Sequence, residues 1–131
     1  MTTELTRILY VEDEADIRAV ADIALTRVGG FTLCLCASGA EALPAAREFA
    51  PELILLDVMM PGMDGLETLA ALRADPALKD VPVAFMTART LPAELDRYRT
   101  SGAIGVINKP FDPLSLAAEV RALWSARAGA A

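Results

Sequence analysis

Five short apolar runs recur along this chain at intervals of roughly 25 residues, with helical stretches between them. They are Ile8–Val11, Phe31–Cys36, Leu53–Leu56, Val83–Met86 and Ile104–Asn108. Runs this short and this apolar on both faces read as strands buried in a parallel sheet. From Glu14 to Val28 the helical spacing sets Ile17, Val20, Ala21, Ala24, Leu25 and Val28 on one side, and Gly29-Gly30 ends it. Ser38 through Glu41 forms a capping box for a second helix that ends before Pro51. Asp64 through Glu67 opens a third, which closes near Asp75-Pro76. The fourth starts at Leu91-Pro92 and stops at Ser101-Gly102, while Asp112 caps a fifth with Pro113 at its first position, running to about Ala128.

This alternation predicts an α/β fold of (βα)5 type, one doubly wound parallel sheet with helices on both faces and right-handed crossovers. Of the doubly wound strand orders, 2-1-3-4-5 suits five strands and places the ends of the first and third side by side. A chain of 131 residues is one domain, 1–131, with its core over about 5–127.

Ligands of such sheets bind at the carboxyl edge of the strands. The residues that follow the runs therefore share one rim: Glu12 and Asp13, Asp57, Thr87 and Lys109. Carboxylates converging there repel one another unless a cation sits among them. Hard oxygen ligands suit Mg2+ or Mn2+. An aspartate can accept a phosphoryl group, and catalysis of that transfer is mostly positioning and charge neutralisation. An ammonium and a hydroxyl on the same rim suit the phosphoryl oxygens.

Composition removes several other classes. The chain has no histidine, so it has no histidine metal site, no Ser-His triad and no phosphohistidine of its own. A phosphohistidine donor must belong to a partner. A net charge of −6 argues against a nucleic-acid surface. No run approaches the ~20 apolar residues of a membrane span, and the first residues lack a signal peptide's pattern, so the expected location is cytoplasmic. Cys34 and Cys36 fall on one face of a strand and read as buried, reduced thiols rather than a disulfide.

Glu12-Asp13, the stretch from Leu55 to Gly65, Thr87-Ala88 and Lys109-Pro110-Phe111 together resemble the signature set of response-regulator receiver domains. The resemblance covers about Leu5 to Ala126. It implies the flavodoxin-like, CheY-like fold, with Asp57 as phosphoacceptor. It implies that Asp13, Asp57 and the Met59 backbone carbonyl bind the metal, with Glu12 acting largely through water. Thr87 and Lys109 would contact the phosphoryl group, and the bond before Pro110 would be cis. It also implies a switch region at Ala88 and Val106. Many receivers carry an aromatic residue where this chain has Val106, and Tyr98 is a candidate substitute. Met59 and Arg89 occupy positions that tune phosphoryl lifetime in such domains.

Taken singly, Asp13 reads as a helix cap, Asp57 as a strand end, Asp64 as cap and turn, and Trp124 as packing. Taken together, the rim residues favour a stand-alone response regulator. It would accept phosphate on Asp57 from a sensor histidine kinase or histidine phosphotransfer protein and signal through a changed surface to a downstream protein. No nucleic-acid or membrane partner is expected, and no enzymatic activity beyond its own phosphorylation and dephosphorylation. The fourth helix, fifth strand and fifth helix are the candidate homodimer face. The alternative is a receiver-like interaction module that works without phosphorylation. A phosphate-ester enzyme ranks below both, because no second aspartate stands two residues after Asp57.

Overall fold

A computed structural model describes residues 4–88 and 92–129. Its strands are β1 (Arg7–Val11), β2 (Thr32–Cys36), β3 (Leu53–Asp57), β4 (Val83–Thr87) and β5 (Gly105–Asn108). The helices are α1 (Ala15–Asp22), α2 (Gly39–Phe49), α3 (Gly65–Ala74), α4 (Pro92–Thr100) and α5 (Leu116–Gly129). All strand pairs are parallel, in the order β2-β1-β3-β4-β5. This is the doubly wound order expected from the alternation. Val11 lies opposite Leu56, Asp57 opposite Met86, and Thr87 opposite Asn108, so the strands end at nearly one level.

Because successive strand residues point to opposite faces, the apolar runs fill two cores. Ile8, Tyr10, Leu53, Leu55 and Met86 pack with Leu25 and, from α5, Leu116, Val120 and Trp124. Leu9, Val11, Ile54, Leu56 and Phe85 pack with Ala42 and Ala46 of α2, Leu69 and Leu72 of α3, and Tyr98 of α4. Each leucine or isoleucine buried this completely contributes about 1.5–3 kcal/mol. β3 is buried along its whole length, and Asp57 stands at its end.

The helices differ from the sequence expectation in three places. Beyond α1 the chain continues as a π-helix, Ile23–Val28, in which the Gly29 N–H donates to the Ala24 carbonyl at 3.1 Å. The wider turn brings Gly29 to the core where a regular helix would bring Val28. Val28 is exposed, and so is Val20, which the periodicity placed in the core. At the other end α5 begins at Leu116 rather than Pro113, because Asp112 first makes a turn. Its Oδ1 accepts from the Leu114 N–H at 3.0 Å, and its carbonyl accepts from Ser115 and Leu116. At α2 the cap is one-sided: Ser38 accepts from the Glu41 N–H, but the Glu41 carboxylate takes Ala37 N–H instead of Ser38. The capping box at α3 between Asp64 and Glu67 is reciprocal, as read. The expected start of α4 at Leu91 lies outside the described residues.

Cys34 is partly buried and Cys36 buried, both are free thiols, and both lie on the α2 side of the sheet. Burial and the neighbouring Cys34 push the Cys36 thiol up to about 12. Among the described residues no helix is long and apolar enough to cross a membrane.

One glycine ties α3 to the rim. A Cβ on Gly65 would stand 2.8 Å from both the Asp57 carbonyl oxygen and the Val58 Cα, which are backbone atoms that cannot swing away. Gly65→Ala is therefore expected to lower stability by about 2 kcal/mol. Denaturant titration checks this, and an unchanged midpoint would contradict it.

Candidate functional site

The order of the strands brings the predicted rim residues together. Glu12 and Asp13 follow β1, Asp57 ends β3, and Lys109 follows β5. Among the described residues, Glu12, Asp13 and Asp57 form the one acidic group in which each carboxylate offers an oxygen within 4.8 Å of those of the other two. Glu12 and Asp57 are buried, at 0% and 3% exposure, whereas Asp13 is partly exposed. The cluster thus has two carboxylates set into the protein and one facing the opening.

Lys109 reaches both buried carboxylates. Its ammonium donates to Glu12 Oε1 at 2.8 Å and stands 3.3 Å from Asp57 Oδ2. The Lys109–Pro110 bond is cis, as the resemblance implied. The Lys109 N–H is held by the Thr87 carbonyl at 2.9 Å, which joins the ends of β4 and β5. Thr87 is buried at the same rim, and Ala88 beside it is exposed. Asp57 Oδ1 accepts from the Met59 N–H at 3.3 Å, and the Met59 side chain lies open at the mouth, 58% exposed.

Asp13 does not cap α1. The cap position is Glu14, whose own side chain makes no cap hydrogen bond. Its N–H instead reaches Glu12 Oε2 at 3.3 Å. The helix-cap reading of Asp13 therefore gives way to its place in the carboxylate cluster. Asp64 stays a cap, as read.

The charges explain each other. Burial, reinforced by the Glu12 carboxylate, pushes the Asp57 carboxyl up to about 7, with Lys109 opposing the rise. Burial works against charge on Glu12 too, but hydrogen bonds from Lys109 and Asp57 hold it below the usual carboxylate range. Lys109 is likewise disfavoured by burial, yet Glu12 and Asp57 raise it above an ordinary lysine. Of the two buried carboxyls, ionisation is thus favoured at Glu12 and opposed at Asp57. Three carboxylates gathered this closely repel one another, and a divalent cation fits among them, with oxygen ligands suited to Mg2+.

Val106 and Tyr98 both neighbour one residue, Phe85. Phe85 of β4 lies opposite Val106 of β5, and the Tyr98 ring sits 5.5 Å from the Phe85 ring in a tilted contact. Tyr98 is buried at 5% exposure, deeper than a half-buried helix tyrosine. Arg89 lies outside the described residues. Trp124 packs in the first core with Arg127 over its ring at 3.8 Å, in keeping with the packing reading.

One residue at the site escaped the sequence reading. Tyr10, inside the first apolar run, donates from its hydroxyl to Glu12 Oε1 at 3.2 Å. The available signal was a phenol among aliphatic residues, two positions before a strand-end carboxylate and so on its face.

Comparison with known proteins gives a consistent picture. The family model described as the response regulator receiver domain matches residues 8–121. The DNA-binding response regulator MtrA of Mycobacterium tuberculosis is 42% identical over 122 residues, which are 93% of this chain and 52% of that protein. Response regulator Rre1 of Synechocystis is 35% identical over 116 residues, covering 88% of this chain and 50% of Rre1. The chain thus spans about half the length of the curated relatives it matches. Among solved structures, the chemotaxis protein CheY4 of Vibrio cholerae superposes with a TM-score of 0.83 at 30% identity, over 92% of this chain and 99% of that one. A response regulator from Desulfuromonas acetoxidans gives a TM-score of 0.81 at 27% identity, over 92% and 98%.

Proposed function

From the premise that this chain belongs to the response regulator receiver domain family, we propose that it accepts a phosphoryl group on Asp57 and signals the change to another protein. The observation that carries this reading is the meeting of Asp57 with Asp13, Glu12 and Lys109 at the carboxyl edge of the sheet. An Asp57 carboxylate oxygen attacks the phosphorus of a phosphohistidine on a sensor kinase or phosphotransfer protein. The new P–O bond forms as the N–P bond breaks, and the departing imidazole nitrogen takes up a proton. Hydrolysis reverses the modification when water attacks the phosphorus, releasing phosphate and restoring the carboxylate. The protein's chemistry on this reading is confined to its own modification.

Asp13, Asp57 and the Met59 carbonyl would hold Mg2+ or Mn2+, with Glu12 behind them. Bound there, the cation would neutralise the carboxylates and a phosphoryl oxygen. Lys109 would take a second oxygen and the Thr87 hydroxyl a third. Movement of Thr87 and Ala88 toward the phosphoryl group would then disturb the Phe85 neighbourhood, which Val106 and Tyr98 share. The surface formed by α4, β5 and α5 is where such a change would reach a partner or a second copy.

Incubation with Mg2+ and acetyl phosphate tests the reading. The expected result is a covalent phosphoryl adduct and a change in Trp124 fluorescence, both abolished by a chelator. A chain that never takes the adduct under any metal would favour the phosphorylation-independent interaction module. The proton on Asp57 makes a second expectation. Metal holds the carboxylate form, so below about 7 the proton competes. The apparent Mg2+ dissociation constant should then rise about tenfold per pH unit below that point and level off above it. Calorimetric titration at a series of pH values checks this, and an affinity flat across that point would contradict it.

A further inference from the structure

We propose that Tyr10 is a positioning residue of this site, its hydroxyl holding Glu12 so that Lys109 can turn to the phosphoryl group. The inference rests on the reading of Asp57 as acceptor.

Tyr10 is fully buried, and its ring packs in the first core between the sheet and α5. Ile8, on the same face of this strand and in the same core, shows that an aliphatic side chain suffices for packing there. A phenol there carries a polar atom that must find a partner, and its partner is Glu12 Oε1 at 3.2 Å. The same oxygen takes the Lys109 ammonium at 2.8 Å. Glu12 Oε2 is served separately, by the Glu14 N–H at 3.3 Å. Glu12 is fully buried, so bulk solvent does not supply a replacement donor. Burial and the adjacent Glu12 displace the Tyr10 ionisation far upward, so the phenol stays a donor.

Lys109 is thus shared between Glu12 and Asp57, 2.8 Å from one and 3.3 Å from the other. When its ammonium turns to a phosphoryl oxygen on Asp57, Glu12 Oε1 loses its shortest hydrogen bond. The Tyr10 hydroxyl still donates to that oxygen. Without it, the buried oxygen would go unsatisfied, and Glu12 would retain Lys109 instead. Tyr10 therefore lowers the barrier to releasing Lys109, through Glu12 and without touching the reacting atoms.

Tyr10→Phe keeps the ring and removes the hydroxyl. In the full chain at saturating Mg2+, the rate of Asp57 labelling by acetyl phosphate is expected to fall about tenfold. In the metal-free protein, the Lys109 ammonium followed by nitrogen-15 NMR should exchange its protons more slowly, because Glu12 holds it more tightly. In a Glu12→Gln background, where that hold is gone, Tyr10→Phe should change the labelling rate by less than about twofold. Wild-type rate and unchanged Lys109 exchange in Tyr10→Phe would overturn the inference alone. A tenfold loss that persists in the Glu12→Gln background would overturn it too, because the hydroxyl would then act by another route. A wild-type protein that takes no label at all would overturn the acceptor reading, and this inference with it.

Discussion

Asp57→Asn is expected to stabilise the metal-free protein by about 4 kcal/mol at pH 8 while abolishing phosphoryl acceptance. The sign follows from the direction of the shift. Asp57 titrates at about 7 in the folded chain, against an ordinary 3.8. Between those values the folded state holds a proton that the unfolded state has released, so wild-type stability falls as pH rises through that window. Above about 7 the folded wild type carries a desolvated carboxylate 3% exposed and beside ionised Glu12. Asparagine has no charge to desolvate and offers an amide N–H to Glu12. The two proteins should therefore be similar in acid and diverge as pH rises. Denaturant titrations with a chelator present measure the gap. Equal midpoints at pH 8, or a less stable Asp57→Asn, would contradict this account of the carboxylate pair.

Lys109→Met carries the second large effect, in the opposite direction. It removes the cation 2.8 Å from Glu12, a carboxylate with 0% exposure. Breaking a buried ion pair from one side leaves an uncompensated charge, and stability at pH 8 should fall by about 3 kcal/mol. The Lys109 side chain is 15% exposed, so some solvent screening keeps the loss to the low end of the range for buried pairs. Because Lys109 faces both carboxylates, the two substitutions should not add. In an Asp57→Asn background the loss from Lys109→Met should shrink, since one carboxylate is gone and the asparagine amide can donate to Glu12. Thermal or denaturant unfolding of the four proteins closes this cycle, and strict additivity would contradict the coupling.

The sheet was legible because its signal is redundant. Five apolar runs, four of them followed directly by a polar or charged residue, admit few arrangements, and β3 and β4, buried at every residue, lie inside the sheet. The rim followed from that order, because strand ends are placed by topology rather than by local preference. Helix detail was less legible. Periodicity assumes 3.6 residues per turn, and the π-helix at Ile23–Val28 breaks that assumption, leaving Val28 outside. At α5 the Asp112-Pro113 pair carries the signature of a helix start, yet the Asp112 side chain bonds to Leu114 and spends itself on a turn. Asp13 and Glu14 are both plausible caps from their residue types. Only the folded geometry assigns the cap position to Glu14 and Asp13 to the cluster.

Tyr10 was the least legible of all. Its ring satisfies the strand pattern as any large apolar side chain would, so nothing in the pattern asks for its hydroxyl. What distinguishes it is a hydrogen bond to Glu12, a residue whose own partner, Lys109, lies 97 positions further along the chain. Contacts of that range are set by the fold, and no local window contains them.

The central claim is that Asp57 accepts the phosphoryl group, and direct mapping of the modified residue tests it. The protein is treated with acetyl phosphate and Mg2+, the acyl phosphate is trapped by borohydride reduction, and the digested peptides are weighed. The account predicts a single modified residue, Asp57, absent with a chelator and absent in Asp57→Asn. Modification at Asp13 or Asp64 instead, or a protein that stays unmodified in saturating metal and donor, would contradict it.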